Sequence, residues 1–193
     1  TIQQTNLPSI DPSRRVLGVI RPTVECIGDL TQSRHIGLLA TTGTIKSESY
    51  LLEIQKLFPD ISVAGEACPM WVPLVENNEY HSKGADYFVQ KHIQQLLEKD
   101  NQIDTIILGC THYPLLIEKI KEFTPSHIRI VAQGEYVAQS LQNYFRRHPE
   151  MDNRCTKEGT CRFLTTESET KFEESASIFL QQEDIHVERI ILE

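Results

Sequence analysis

Short apolar runs alternate with longer segments of helical periodicity along almost the whole chain, and this alternation restricts the fold most. The runs are typical of strands buried on both faces, whereas segments such as Lys46–Phe58 carry apolar residues at helical spacing. Strict alternation predicts an α/β fold with a doubly wound parallel sheet. Strands are predicted over Val16–Ile20, Ile36–Ala40, Ile61–Ala67, Thr105–Gly109, Ile128–Val131, Cys161–Thr165 and Val187–Leu192. Helices are predicted over Pro22–Leu30, Lys46–Phe58, Asp86–Lys99, Leu115–Phe123, Tyr136–Arg147 and Ser168–Leu180, and a short helix or turn over Trp71–Asn77.

Reactive or polar side chains directly follow three of these predicted strands. They are the segment Thr41–Thr44, the cysteine Cys68 and the segment Cys110–His112. Ligands of open parallel sheets bind beyond the carboxyl ends of the strands. We therefore expect the functional site at this edge of the sheet.

The stretch around Cys110 combines the most specific signals in the chain. The apolar run Thr105–Leu108 is short enough for a buried strand, Gly109 allows a sharp turn, and Pro114 suits the start of a helix. Cys110 and His112 are therefore expected between the end of a strand and the start of a helix. A helix N-terminus lowers the pKa of a cysteine thiol.

Three neighbouring residues of this stretch could act together on a small anionic substrate. The imidazole of His112 could relay the proton of the Cys110 thiol, and Thr111 offers a hydroxyl and a backbone N–H to a carboxylate. The alternative is a buried structural cysteine beside a loop histidine. The strand–glycine–cysteine–turn–proline–helix setting favours the reactive interpretation.

Two other polar positions have both a functional and a structural interpretation. The segment Thr41–Thr44 could bind a carboxylate or phosphate, although it lacks the lysine of a P-loop, or Thr44 or Ser47 could simply cap the next helix. Glu76 could orient His112, or it could be a solvated helix-end residue. Both interpretations stay open from the residues alone.

The remaining cysteines suggest no second cluster. Cys68 offers a further thiol at a strand end, Cys26 falls within a predicted helix as core packing, and Cys155 and Cys161 are too few for a structural zinc site. Five cysteines in 193 residues do not make a disulfide framework, so a reducing cytoplasm is the expected location.

Composition excludes several classes of function. The formal net charge of −8 argues against nucleic-acid binding, which needs clustered lysine and arginine. No apolar run approaches the roughly 20 residues that span a bilayer, so no membrane partner is expected. The absence of a Gly-x-Gly-x-x-Gly motif and of any recognisable Schiff-base lysine predicts chemistry without a cofactor, and no metal site is expected from the cysteine spacing.

The segment Leu108–Leu116 closely resembles the second catalytic motif of the bacterial glutamate racemases, in the Asp/Glu racemase family. The resemblance covers nearly the whole chain. It extends to Gly18-Val19-Ile20, Ala40-Thr41-Thr42-Gly43-Thr44, Ala67-Cys68-Pro69, Val72-Pro73-Leu74-Val75-Glu76, Ala132-Gln133-Gly134-Glu135 and Phe163-Leu164-Thr165-Thr166.

The resemblance implies an enzyme that interconverts L- and D-glutamate without a cofactor and supplies D-glutamate for peptidoglycan. In the family, one cysteine thiolate removes the α-proton and a second cysteine returns a proton to the opposite face. By match, Cys110 is one of the two and His112 assists it while contacting substrate with Thr111. Thr41 and Thr44 match threonines that face the substrate carboxylates, and Glu76 matches a carboxylate on the side of the site that bears the histidine.

This sequence departs from the family pattern at its start. The Asp-Ser-Gly segment, the Tyr-Gly pair and the first catalytic Cys-Asn-Thr are not found in it, and neither Cys26 nor Cys68 matches that first cysteine. We therefore expect a second racemase domain over 22–130 and an incomplete first domain from 1–21 plus 131–193. This polypeptide alone is expected to exchange the α-proton of at most one enantiomer, without racemisation.

Two further expectations concern partners and rival functions. Apolar surface left uncovered on the incomplete domain predicts a homodimer or a tendency to aggregate. The rival functions are an aspartate racemase or one-cysteine decarboxylase of similar build, and a non-catalytic remnant that binds an amino acid.

Overall fold

A computed structural model describes residues 6–13 and 16–192, and its largest element is a four-stranded parallel sheet. The sheet has the strand order β2-β1-β3-β4, and a second, two-stranded parallel sheet pairs β5 with β6. Parallel strands joined through helices confirm the predicted α/β class. The strands are β1 (His35–Ala40), β2 (Ser62–Ala67), β3 (Thr105–Leu108), β4 (Arg129–Ala132), β5 (Phe163–Thr165) and β6 (Val187–Arg189).

Helices connect the strands and follow most of the predicted segments. A 3₁₀ helix at Tyr113–Leu116 leads directly into one of them. The α-helices are α1 (Leu7–Ile10), α2 (Ile20–Leu30), α3 (Thr42–Lys46), α4 (Ser49–Leu57), α5 (Trp71–Glu76), α6 (Lys83–Lys99), α7 (Ile117–Phe123), α8 (Gln133–Arg147), α9 (Pro149–Asp152) and α10 (Glu169–Leu180).

The four-stranded sheet is covered by helices on both faces, as a doubly wound sheet requires. On one face, Leu39, Ile106 and Leu108 pack in a core formed with α5, α6 and α7. On the other face, Leu38 and Ile107 pack in a core formed with α2 and α4. Because both faces are buried there, the central strands β1 and β3 are almost uninterrupted apolar runs, and this is why they could be found from the sequence.

The register brings the carboxyl ends of three strands together at one edge of the sheet. Leu39 on β1 pairs with Leu108 on β3, and Leu108 pairs with Ala132 on β4. The segments that follow β1, β3 and β4 therefore start side by side. This edge carries the residues of the candidate site.

At the other end of the strands, the carboxylate of Asp104, which precedes β3, holds the amino ends of β1 and β3 together. It accepts hydrogen bonds from the backbone N–H groups of Gln32 (2.7 Å) and Ser33 (2.6 Å) and from the hydroxyls of Thr31 (2.7 Å) and Thr105 (2.9 Å). Burial alone would raise the pKa of Asp104, but these four donors outweigh it and lower the pKa to about 2. The cluster ties the turn before β1 to the start of β3.

The strand predicted over Val16–Ile20 is wrong. Residues 16–18 have no regular structure, and Ile20 is already the first residue of α2. Among the described residues, no strand pairs with this run, and Val16, Leu17 and Val19 stay exposed. An apolar run becomes a strand only where a neighbouring strand completes its hydrogen bonds, which sequence periodicity does not report.

The helix predicted over Lys46–Phe58 is two helices. The first starts earlier, at Thr42, and the second starts at Ser49, because Glu48 adopts a left-handed backbone with φ of 52°. The hydroxyl of Ser47 donates to the carbonyl of Thr44 at 2.9 Å and so closes the first helix locally. The single amphipathic pattern therefore spans a break between two helices, and after this break α4 packs on α2.

The predicted division into 22–130 and 1–21 plus 131–193 stays a prediction. The four-stranded sheet lies within 35–132, and α8, which follows it, packs on α2. In the part of the chain that is described, no helix has both the length and the apolar character of a membrane-spanning segment.

Candidate active site

Cys110 lies two residues beyond the end of β3, directly after Gly109, whose surroundings leave little room for a side chain. The N–H of Gly109 donates to the carbonyl of Leu39 at 2.8 Å, which holds the turn against β1. A Cβ on Gly109 would lie 3.0 Å from a methyl group of Leu38 and 3.1 Å from the Cβ of Ala40. Close approach, rather than an unusual φ, is therefore the reason for glycine here.

The thiol of Cys110 faces an imidazole that is held by a carboxylate. The Sγ of Cys110 is 3.8 Å from Nδ1 of His112, and Nε2 of His112 is 2.6 Å from Oε1 of Glu76. The side chains of His112 and Glu76 are 24% and 46% exposed. A thiol, an imidazole and an orienting carboxylate thus form one continuous chain of polar contacts that solvent can reach.

Two helices that are distant in sequence complete the surroundings of His112. Glu76 is the last residue of α5, which follows β2. The ring of Phe179, on α10, meets the imidazole edge-to-face with the ring centroids 5.3 Å apart. The imidazole therefore has a polar partner at each ring nitrogen and an apolar ring beside it.

The expectation that a helix N-terminus lowers the pKa of Cys110 is wrong for this structure. Partial burial raises the pKa of the Cys110 thiol, and hydrogen bonds from the backbone N–H groups of His112 and Tyr113 offset this only in part. The turn after Cys110 is a short 3₁₀ helix, so few aligned peptide dipoles point at the sulfur. The thiol form is therefore favoured at neutral pH until a base takes its proton.

The threonines after β1 form a helix cap at the same edge of the sheet. Oγ1 of Thr41 accepts from the backbone N–H of Thr44 at 3.3 Å and is 3.0 Å from Oγ1 of Thr44, so Thr41 caps α3. The alternative that Thr44 or Ser47 is the cap is wrong. Thr111, between Cys110 and His112, is exposed. That these three threonines bind substrate stays a prediction.

The other four cysteines do not add a second thiol to the polar chain around Cys110. Cys68 is fully buried in the core, and burial raises the pKa of its thiol. Cys26 is only partly buried and lies in neither core cluster, so its prediction as core packing is wrong. Cys155 and Cys161 are exposed, and all five cysteines are free. The described residues contain no group of three side chains placed to hold a metal ion.

Sequence reasoning missed the residues that support the site from outside its motif. Phe179 lies 67 positions after His112 with no local signal for a contact. Tyr113 and Trp71 are both fully buried, and their rings meet edge-to-face at a centroid separation of 4.7 Å. Only the adjacency of Tyr113 to His112 in sequence could have indicated a role.

The known proteins that this chain resembles are racemases of one family. A profile of the Asp/Glu/Hydantoin racemase family matches residues 14–141. The glutamate racemase of Streptococcus agalactiae serotype III (strain NEM316) is 38% identical over 180 residues, which cover 92% of this chain and 66% of that protein. The glutamate racemase of Enterococcus faecalis (strain ATCC 700802 / V583) is 39% identical over 182 residues, covering 92% and 64%. The chain thus spans about two thirds of the length of the curated relatives it matches.

Solved structures have the same fold. Glutamate racemase isoform RacE1 from Bacillus anthracis superposes with a TM-score of 0.85 at 30% identity, over 97% of this chain and 69% of that one. Glutamate racemase from Francisella tularensis subsp. tularensis SCHU S4, in complex with D-glutamate, superposes with a TM-score of 0.82 at 26% identity, over 96% and 67%.

Proposed function

The chain belongs to the Asp/Glu/Hydantoin racemase family, and from this membership we propose that it acts as a glutamate racemase chain. The proposed reaction is the interconversion of L- and D-glutamate by proton abstraction and return at Cα, without a cofactor. The observation that carries the proposal is the polar chain from Cys110 through His112 to Glu76 at the carboxyl edge of the sheet. The names of the relatives support glutamate as the substrate.

In the proposed first step, His112 removes the proton of the Cys110 thiol. The Glu76 carboxylate accepts a hydrogen bond from Nε2–H of His112. Nε2 therefore carries the ring proton, and the lone pair of Nδ1 faces the sulfur. The transfer leaves a thiolate beside an imidazolium that the Glu76 carboxylate stabilises. This relay supplies the thiolate despite the burial that raises the pKa of Cys110.

In the second step, the thiolate takes the α-proton of glutamate and the S–H bond re-forms. The electron pair of the broken C–H bond stays on Cα as a carbanion, next to the carboxylate. Thr41, Thr44 and Thr111 are proposed to donate hydrogen bonds to the substrate carboxylates and so stabilise this charge. Inversion then requires an acid on the opposite face of Cα.

No second cysteine reaches this polar chain, so the 193-residue polypeptide is proposed to catalyse half of the reaction. It removes and returns the α-proton on the face next to Cys110. Of the other thiols, Cys68 is buried in the core, and Cys26, Cys155 and Cys161 are not part of the polar chain. It is therefore expected to exchange the α-proton of one enantiomer and not to invert it.

The wider role follows from the same proposal. A glutamate racemase supplies D-glutamate for peptidoglycan, which requires a location in the cytoplasm. The exposed apolar side chains of Val16, Leu17 and Val19 support a homodimer that buries them. Sedimentation equilibrium measures this directly, and a monomer at high concentration would refute the dimer alone.

The test is α-proton exchange in D₂O, followed by ¹H NMR, for L- and D-glutamate and for L- and D-aspartate. We expect exchange of one glutamate enantiomer, no change in optical rotation, and slower exchange of both aspartates. Binding of glutamate by calorimetry without any exchange would show a non-catalytic protein. Faster exchange of aspartate would assign the chain to a different substrate.

A further inference from the structure

Two buried aromatic rings join the loop that carries the histidine to the loop that leads to the carboxylate. The hydroxyl of Tyr113 donates to the carbonyl of Cys68 at 3.2 Å. The ring of Tyr113 meets the ring of Trp71 at 4.7 Å, with an interplanar angle of 62°. Both side chains are fully buried. We call Tyr113 and Trp71 the aromatic bracket.

The Trp71 side of the bracket is fixed by polar groups on α6 and β2, of which His92 and Glu66 are buried. Its indole N–H donates to the carbonyl of Phe88 at 3.4 Å, and its ring meets His92 edge-on at 6.4 Å. Nδ1 of His92 is 2.8 Å from a carboxylate oxygen of Glu66, whose other oxygen accepts from Lys99 at 2.6 Å. Because His92 and Glu66 are buried and paired, moving Trp71 would break contacts that are costly to lose.

Each residue of the aromatic bracket is close in sequence to one member of the Glu76–His112 pair. Tyr113 directly follows His112, and Trp71 is the first residue of α5, whose last residue is Glu76. The bracket therefore links the two elements whose separation sets the 2.6 Å distance between Nε2 and Oε1. A displacement of about 1 Å lengthens this bond beyond hydrogen-bonding range.

We propose that Tyr113 is a positioning residue for the reaction at Cys110 and acts through the aromatic bracket. Its hydroxyl holds the segment Cys110–His112 close to the Cys68 carbonyl and so keeps the imidazole of His112 oriented toward Glu76 and Cys110. The hydroxyl itself does not take part in proton transfer, because it is buried against a backbone carbonyl. This inference rests on the proposed function for its kinetic readout.

The test is the substitution Tyr113→Phe, which removes one oxygen and leaves the ring contact with Trp71. At a temperature well below unfolding, we expect kcat for α-proton exchange to fall about tenfold, while KM for glutamate stays within twofold. A purely structural tyrosine would lower the melting temperature without changing kcat of the folded protein. The control Tyr80→Phe removes the hydroxyl of a tyrosine that contacts His81 through its ring, and it should leave kcat unchanged.

A second readout does not depend on turnover. The Nε2–H proton of His112 should give a downfield ¹H NMR signal in the wild type, and the signal should move upfield or vanish in Tyr113→Phe. If Tyr113→Phe does not fold, Trp71→Phe tests the other half of the bracket with the same two readouts.

The outcomes separate the two proposals. An unchanged kcat and an unchanged His112 signal in the folded variant overturn the bracket alone. Absence of exchange by the wild type overturns the proposed function, and the His112 signal then decides on the bracket by itself.

Discussion

Replacing Glu76 by glutamine tests whether the carboxylate orients and supports His112. The substitution keeps the size of the side chain but removes its negative charge and allows its amide to present N–H groups toward Nε2. If the proposed relay is correct, His112 then loses the partner that stabilises its imidazolium, and the rate of thiolate formation at Cys110 falls. Binding of glutamate should change little, because Glu76 contacts the imidazole of His112 and is not one of the threonines proposed to bind the substrate carboxylates.

The magnitude follows from the geometry of the pair. A short, charge-assisted hydrogen bond contributes about 1.5–3 kcal/mol in mutational series. The carboxylate is 46% exposed and the imidazole 24%, so solvent screening reduces this to about 1–2 kcal/mol. Since about 1.4 kcal/mol corresponds to a factor of ten, Glu76→Gln should slow α-proton exchange about 5- to 30-fold.

The assay is the initial rate of deuterium incorporation at saturating glutamate, measured in a double-mutant cycle with His112→Asn. The double variant should be no slower than His112→Asn alone, since the carboxylate acts only through the imidazole. The matched control is Glu79→Gln, which removes the same charge from an exposed residue three positions further on. Full additivity of the two substitutions, or an unchanged rate in Glu76→Gln, would refute the relay.

Four further predictions concern residues of the site and of the sheet that carries it. Gly109→Ala should lower the free energy of unfolding by about 1–3 kcal/mol because its Cβ meets the neighbouring strand, whereas Gly134→Ala, with nothing within 4 Å, should be neutral or stabilising; urea unfolding measures both. Asp104→Ala should lower the free energy of unfolding by about 2–4 kcal/mol, because four hydrogen bonds are lost. Replacing the exposed Glu98 by alanine should change it by less than about 0.5 kcal/mol. Because the folded pKa of Asp104 is below its ordinary 3.8, its stabilisation is present above pH 4 and lost as the pH falls toward about 2; Asp104→Asn should therefore flatten the pH dependence of stability in that window, and an unchanged slope would contradict this. Because burial raises the pKa of the Cys110 thiol, its alkylation by iodoacetamide, followed by mass spectrometry of its peptide, should still accelerate above pH 9, and a plateau below pH 8 would contradict this.

The features of the fold that were predictable are those that depend on local sequence. The central strands β1 and β3 are buried on both faces, so their apolar runs identify them without any tertiary information. Cys110 and His112 lie two residues apart after a glycine turn, and this spacing alone brought them together. The run Val16–Ile20 is equally apolar but has no strand beside it, and only the fold decides that.

The remaining parts of the site depend on contacts between distant segments. Glu76 could be named as a candidate, but its hydrogen bond to His112 spans 36 residues and needs the placement of α5. Phe179 reaches His112 only because α10 packs there. The pKa of Cys110 was predicted with the wrong sign because burial, which no local pattern reports, outweighs the backbone N–H groups at the turn.

The central claim is that the sulfur of Cys110 exchanges the α-proton on one face of glutamate. The most direct measurement is the stereospecific incorporation of deuterium at Cα by the wild-type chain and by Cys110→Ser, with Cys26→Ser as the control for loss of a thiol elsewhere. We predict labelling of a single enantiomer by the wild type and Cys26→Ser, and a rate at least a thousandfold lower (on the order of 4 kcal/mol) for Cys110→Ser. Equal labelling by Cys110→Ser and the wild type would contradict the account.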